Sequence, residues 1–192
     1  GGLISGISAI VKKKRPKVKI IGVQSAHAPS AFLSLKRKKI VEVEVKPTLA
    51  DGIAVGRIGK ITFPVIERNV DEIVTVQEEE IASAILMLIE RKRVVAEGAG
   101  AAPLAALLSR GVKIGKRKVV LVISGGNIDV HLLDRIIEKG LTQTGRVVRF
   151  GVVLRDIPGA LAKLSGLVAQ HQANILHIIH ERAAKDIPIG FS

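Results

Sequence analysis

The chain reads as an α/β fold: a mostly parallel sheet flanked by helices, followed by a smaller βαβ piece. Three observations carry that reading. The hydrophobic period switches back and forth between the helical and the strand spacing. The strand-like runs, Val18–Val23 and Val119–Ile123 among them, are short and nearly all apolar, as in strands covered on both faces. Strand-like and helix-like segments alternate along the sequence, which is the pattern of a parallel sheet wrapped by its crossover helices.

Residues 3–13 have the spacing of a helix, ended by a lysine run and Pro16. Val18–Val23 is a buried strand and residues 30–38 a short helix. Val41, Val43 and Val45 alternate with Glu42, Glu44 and Lys46, which predicts a half-exposed strand closed by Pro47. Residues 51–62, with Gly52, Gly56 and Gly59, read as loop, and Asp51 as a turn residue. A turn of helix covers Phe63–Arg68, and Ile73–Val76 is a strand. Glu78, Glu79 and Glu80 then open a helix whose acidic first turn suits the positive end of the helix dipole. Ile81, Ile85, Leu88 and Ile89 form its apolar stripe. A second helix covers 98–109 with Gly111 closing it. The strand Val119–Ile123 runs into Ser124-Gly125-Gly126-Asn127, and residues 130–139 form a helix capped by Gly140.

The composition breaks at Thr142-Gln143-Thr144-Gly145, so residues 142–146 read as a linker between 1–141 and 147–192. The pattern then restarts. Val147–Leu154 is a strand, Asp156–Gly159 a turn, 160–172 a helix with Leu161, Leu164 and Val168 on one face, and a further strand starts at Ile175. A lone βαβ leaves its sheet short. With Met87 as the only methionine and Gly1-Gly2 at the start, the expectation is a piece of a longer protein cut at both ends.

Composition narrows the function classes. Hydrophobic residues make up 47% of the 192, enough for a packed core. No apolar run approaches the roughly 18 residues of a membrane span, no basic segment precedes the apolar start as a signal peptide requires, and a cytoplasmic location is the expectation. There is no cysteine, which excludes disulfides, thiolate metal ligands and a cysteine nucleophile. The formal net charge is +13. Residues 1–60 hold thirteen Lys/Arg against three Asp/Glu, concentrated at Lys12–Lys19 and Lys36–Lys39. With no Trp or Tyr and only four Phe, a base-stacking platform is hard to build, so these clusters read as a solvated helix end and a solvated loop and not as a nucleic-acid surface.

Three segments could carry chemistry. In Ser124-Gly125-Gly126-Asn127 a hydroxyl followed by two glycines can meet a ligand with no side chain in the way. In Glu97-Gly98-Ala99-Gly100-Ala101-Ala102 a carboxylate sits at a helix start with only small residues behind it. Gly1-Gly2, before a helix, can offer backbone N–H groups to a phosphate. His177 and His180 face opposite sides of a predicted strand, and no metal-ligand spacing occurs.

Taken together, Gly1-Gly2-Leu3-Ile4-Ser5-Gly6, Thr48–Val55, Thr62-Phe63-Pro64, Val70–Val76, Glu97–Ala101 and Ser124–Asp129 stand in the order and spacing of one family. The chain from Gly1 to about Leu141 resembles the C-terminal half of the threonine ammonia-lyases (threonine dehydratases), pyridoxal-phosphate enzymes of the tryptophan-synthase β-like fold. Residues from Phe150 to about Ser192 resemble the first half of an ACT regulatory domain, through Asp156-Ile157-Pro158-Gly159-Ala160-Leu161 and Ala173-Asn174-Ile175.

The resemblance implies pyridoxal phosphate as cofactor. Gly1 and Gly2 then end a tetraglycine loop that holds its phosphate, Ser124 meets the pyridine nitrogen, and Glu97 lies close to the ring. It implies conversion of threonine, with serine as the rival substrate, to a 2-oxo acid and ammonia. The family's Schiff-base lysine sits in a Ser-Phe-Lys-type motif in the first half, and no lysine here does. This chain therefore supplies no catalytic residue of its own and is expected to be inactive alone. The stretch Gln24–Ser30, which matches the cation-binding carboxylates of serine racemase relatives, contains no carboxylate, so no metal is expected. The ACT-like tail implies pairing between subunits in a homo-oligomer. It also implies an amino-acid effector, isoleucine or valine, lined by Asp156, Ile157, Pro158, Gly159, Ala160 and Asn174. The competing readings are a serine dehydratase or racemase of the same fold, a non-catalytic amino-acid-binding regulatory protein, and, on charge alone, a nucleic-acid binder.

Overall fold

The computed structural model describes residues 1–112, 114–143 and 145–179. Thr144 of the predicted linker and His180 lie outside these. The chain divides into two compact units, Gly1–Val147 and Val148–Ser192.

The first unit holds α1 (Gly2–Lys14), β1 (Ile21–Ser25), α2 (Ser30–Arg37), α3 (Thr62–Asn69), β2 (Glu72–Val76), α4 (Glu78–Met87), α5 (Gly98–Leu108) and α6 (Val130–Gln143). A 3-10 turn covers Asp51–Ile53, and a π-turn, Leu88–Lys92, extends α4. The two strands pair in parallel, from Ile21 opposite Glu72 to Ser25 opposite Val76. Each face of this ribbon carries its own core, because side chains alternate along a strand. Ile73 points to one side, where Ile58, Phe63, Ile66 and Val70 are buried with Ile4 of α1 and Phe32 and Leu35 of α2 beside them. Val76 belongs to the other side with Ile81, Ile85 and Leu88 of the α4 stripe, Ala101, Ala102 and Ala105 of α5 and Ile136 of α6. The arrangement is helix, sheet, helix, as the alternating pattern predicts. Gly22 lets α1 approach: a Cβ there would meet Ile4 Cδ1 at 2.9 Å.

Several predicted boundaries move, each for a local reason. β1 starts three residues later than Val18 and ends two later than Val23. Asp71 ends the pairing on the early side by taking the Ile20 N–H on its carboxylate (2.7 Å) and giving its own N–H to the Ile20 carbonyl (2.9 Å). On the late side Gln24 and Ser25 look too polar for a buried strand, yet both are satisfied internally: Gln24 Oε1 accepts the Phe32 N–H at 2.8 Å. The predicted strand Val41–Val45 is reduced to one antiparallel bridge, Glu42 with Arg57. α5 is closed by Arg110 in the left-handed region (φ 59) and not by Gly111.

Gly140 is not a cap. α6 runs through it to Gln143, with Asp129 Oδ1 accepting the His131 and Leu132 N–H groups at the other end (2.8 and 3.1 Å). The glycine serves packing: a Cβ on it would collide with Leu86 Cδ2. The predicted strand Val119–Ile123 makes no ladder. Among the described residues nothing pairs with it, and Val120 is 88% exposed. An apolar run states a preference for extended backbone, but a strand also needs a neighbour.

Towards the C-terminal end the predicted turn and helix form, and among the described residues the predicted strands do not. Ala160 N–H donates to the Ile157 carbonyl (3.2 Å), Gly159 adopts φ 86, and α7 spans Ala160–Gln170. Neither Val147–Leu154 nor the described stretch from Ile175 forms a strand. No described helix is long and apolar enough to cross a membrane.

Candidate functional site at the start of α5

Glu97 is the residue before α5, with extended backbone (φ −68, ψ 165). Its N–H donates to the Gly125 carbonyl at 3.2 Å, and its carbonyl accepts the Ala101 N–H at 2.9 Å. The small residues that follow bring the helix start against two other segments. Gly98 rests on the Leu49 carbonyl and Gly100 on the Ser124 carbonyl, each so closely that no side chain could fit. Gly125 adopts φ 78, with its Cα against the Glu97 carboxyl. A Cβ on Gly52 would stand 3.3 Å from Glu97 Oε1 and 3.2 Å from Ala99 Cβ. Three segments singled out in the sequence, Thr48–Gly52, Glu97–Ala102 and Ser124–Asn127, therefore meet at one place. Glu97 and Ser124 are half-buried, and neither side chain has a hydrogen-bond partner among the described residues. No buried side-chain oxygen or nitrogen among the described residues lacks a partner, so the Glu97 carboxylate and the Ser124 hydroxyl reach solvent at this corner and are free to meet a polar group there.

Gly1 and Gly2 lie elsewhere. Gly1 precedes α1, its carbonyl accepting the Ser5 N–H (3.1 Å) and Ser5 Oγ (2.7 Å). Its neighbours are Thr62 and Ile66, and a Cβ on Gly2 would have nothing within 4 Å. The first turn has no acidic residue and no side-chain cap, so its N–H groups and the positive helix end suit an anion. No described contact joins these glycines to Glu97 or Ser124. Asp156, Ile157, Pro158 and Gly159 form the exposed turn before α7, Ala160 is its first residue, and Asn174 follows its end. Asp51 is the turn residue expected, its Oδ1 accepting the Gly52 N–H at 2.7 Å.

Sequence reasoning missed Glu78. Of the three glutamates opening α4, Glu79 turns outward to Lys139 (3.1 Å) and Glu80 accepts the Gln77 N–H (2.7 Å). The Glu79 carboxyl is held below its usual range by its own N–H first and by Lys139 next. Glu78 turns inward. Its Oε1 accepts Ser25 Oγ (2.8 Å) and Thr48 Oγ1 (2.6 Å), and its Oε2 accepts the Leu49 N–H (2.6 Å). His27 Nδ1 lies 2.5 Å from the Pro47 carbonyl and 3.7 Å from Glu78 Oε1. Nothing local in the sequence separates Glu78 from its neighbours, because its partners lie some 30 and 53 positions away. Among the described residues no three His, Asp or Glu side chains converge as metal ligands.

Residues 1–125 match the family of pyridoxal-phosphate dependent enzymes. The L-threonine ammonia-lyase of Thermotoga maritima is 53% identical over 192 residues, which is 100% of this chain and 48% of that protein. The L-threonine dehydratase catabolic TdcB of Escherichia coli K12 is 43% identical over 138 residues, 71% of this chain and 42% of that one. Among solved structures, a threonine deaminase from the organism abbreviated T.th. superposes with a TM-score of 0.64 at 38% identity, covering 67% of this chain and 46% of that chain. Serine racemase of Dictyostelium discoideum gives 0.63 at 35%, covering 68% and 42%. The chain spans about half the length of the curated relatives it matches. With two thirds of its residues matched in this way, the chain belongs to the pyridoxal-phosphate dependent enzyme family.

Proposed function

We propose that these residues are the cofactor-binding, C-terminal portion of a threonine ammonia-lyase, which converts L-threonine to 2-oxobutanoate and ammonia. The observation that carries the reading is the corner at the start of α5: a carboxylate and a hydroxyl, both half-buried and unpartnered, framed by glycines too tightly packed to accept a side chain. The 53% identity to L-threonine ammonia-lyases along the whole chain supports the choice of substrate.

The residues present fit the cofactor. The start of α1, with glycine at its N-cap and at its first position and no acidic side chain in its first turn, suits a phosphate. Ser124 would hold the pyridine nitrogen through a neutral hydroxyl, which forces no proton onto it. Glu97, kept in place by Gly125 and Gly52, would face the ring. When bound, pyridoxal phosphate draws electrons from the substrate α-carbon, easing loss of its proton and of the β-hydroxyl. No lysine of this chain lies in the family's lysine motif, so the reading requires that the active protein supply that base from outside these residues. We assign a regulatory role to the turn Asp156–Ala160 with Asn174, with a branched-chain amino acid as effector and a homo-oligomer as its setting. The support is that turn's match to an ACT-type binding turn.

The test is release of 2-oxobutanoate by the complete coding region carrying these residues, with pyridoxal phosphate and L-threonine, and L-serine in parallel. Activity on threonine is expected. Activity on serine alone favours the serine dehydratase reading, and none on either overturns the lyase assignment.

A further inference from the structure

We infer that Glu78 is a positioning residue for Glu97: its carboxylate sets the segment Thr48–Gly52 against the start of α5 and so fixes the wall of the proposed cofactor site. The inference rests on that site being where the cofactor binds.

Glu78 stands just beyond the end of β2, in the first turn of α4, its side chain 17% exposed. It gathers donors from two distant segments. Ser25 ends β1 and donates through Oγ at 2.8 Å. Thr48 donates through Oγ1 at 2.6 Å, and the Leu49 N–H reaches Oε2 at 2.6 Å. The two hydroxyls lie 3.0 Å apart, and Thr48 Oγ1 in turn accepts the Ala50 N–H at 3.1 Å. Hydrogen bonds onto a charged acceptor are short and strong, and every donor here belongs to the strand end or to the 48–50 segment.

That segment is what Glu97 leans on. The Leu49 carbonyl packs on Gly98, the residue next to Glu97, with no room for a side chain between them. Three residues further on, Gly52 lies beside Glu97 Oε1 and Ala99. Glu97 makes no side-chain hydrogen bond among the described residues, so its orientation is left to this packing and to Gly125. The path from Glu78 runs through one residue, Leu49, whose N–H is held on one side and whose carbonyl presses on α5 on the other.

A carboxylate is needed because all three groups donate. Glu78→Gln puts an NH2 donor against one of these donors and leaves that one unsatisfied in a mostly buried place. Thr48→Val keeps the shape and the Leu49 bond while removing the hydroxyl that donates to Glu78 and accepts the Ala50 N–H.

The test uses the complete protein and reads the dissociation constant of pyridoxal phosphate, the circular dichroism of the bound cofactor and the melting temperature. Glu78→Gln and Thr48→Val should each weaken cofactor binding by about tenfold, the scale of one lost hydrogen bond, and change the cofactor dichroism. Glu79→Gln, on the same helical turn but paired outward with Lys139, should leave both at the wild-type values. Lower melting temperatures with unchanged affinity and dichroism would mean a merely structural clamp and would overturn the inference. If Glu78→Gln does not fold, Thr48→Val decides alone. A wild type that binds the cofactor without releasing 2-oxobutanoate defeats the lyase reading, yet the affinities still decide this one. A wild type that binds no cofactor defeats both.

Discussion

Gly100 and Ser124 touch through their backbones: the Cα of the first lies against the carbonyl oxygen of the second, in the space a side chain would need. This contact fixes how near the Ser124 hydroxyl stands to the start of α5. Gly100→Ala should therefore cost more than the gain in helix propensity returns, a net loss of about 1–3 kcal/mol from overpacking against backbone that cannot rotate away. A urea midpoint at or above the wild-type value would show that the two segments can separate freely.

Gly125→Ala meets two obstacles at once. The residue sits at φ 78, and its new Cβ would fall on the Glu97 carboxyl. Left-handed backbone alone costs an alanine about 1–2 kcal/mol, and Glu97 must also move. The expected outcome is lower stability together with weaker pyridoxal phosphate binding, read by denaturation and by titration of the cofactor. Lower stability with unaltered cofactor affinity would separate Glu97 from the site.

Gly140 is a packing glycine inside α6. Gly140→Val should overpack against Leu86, which is buried beneath it, and lose about 1–3 kcal/mol. Gly140→Ala gains helix propensity against a single movable methyl and should be much milder. Equal losses for both, as at a left-handed cap, would contradict the continuous helix.

Asp71 predicts an acid-sensitive joint between β1 and its neighbour. Partial desolvation opposes its charge, but the Ile20 N–H and the Lys12 ammonium outweigh that, with Lys19 adding to them, and hold its carboxyl below the ordinary 3.8. The stability it contributes is complete above the unfolded value and is lost as the pH falls through the lower folded one. Urea midpoints of wild type and Asp71→Asn should differ by a constant amount above about pH 5 and begin to converge only as the pH falls below about 4. A difference that persists unchanged to about pH 2 would rule out the charge as its source.

Much of this architecture was legible in the sequence. The α4 stripe of Ile81, Ile85 and Leu88 is a strict periodic signal and falls in the core as expected. The glycine-bounded motifs at Glu97 and Ser124 are brought together, because small residues at a helix start have few purposes other than close approach. Signals that depend on a distant partner were not legible. Val119–Ile123 has the residues of a strand but no paired strand among the described residues. Gly140 follows a helical run just as a cap does, and only Leu86, far back in the chain, gives it another use. Glu78 is identical in type to the residues beside it, and its hydroxyl partners are ordinary residues of other segments.

The measurement that reaches the central claim most directly is a crystal structure of the complete protein with pyridoxal phosphate bound. The account predicts the phosphate at the start of α1 beside Gly1 and Gly2, the pyridine nitrogen on the Ser124 hydroxyl and the Glu97 carboxylate close to the ring. A cofactor that touches neither Glu97 nor Ser124 would contradict it, and the α5 corner would then be packing alone.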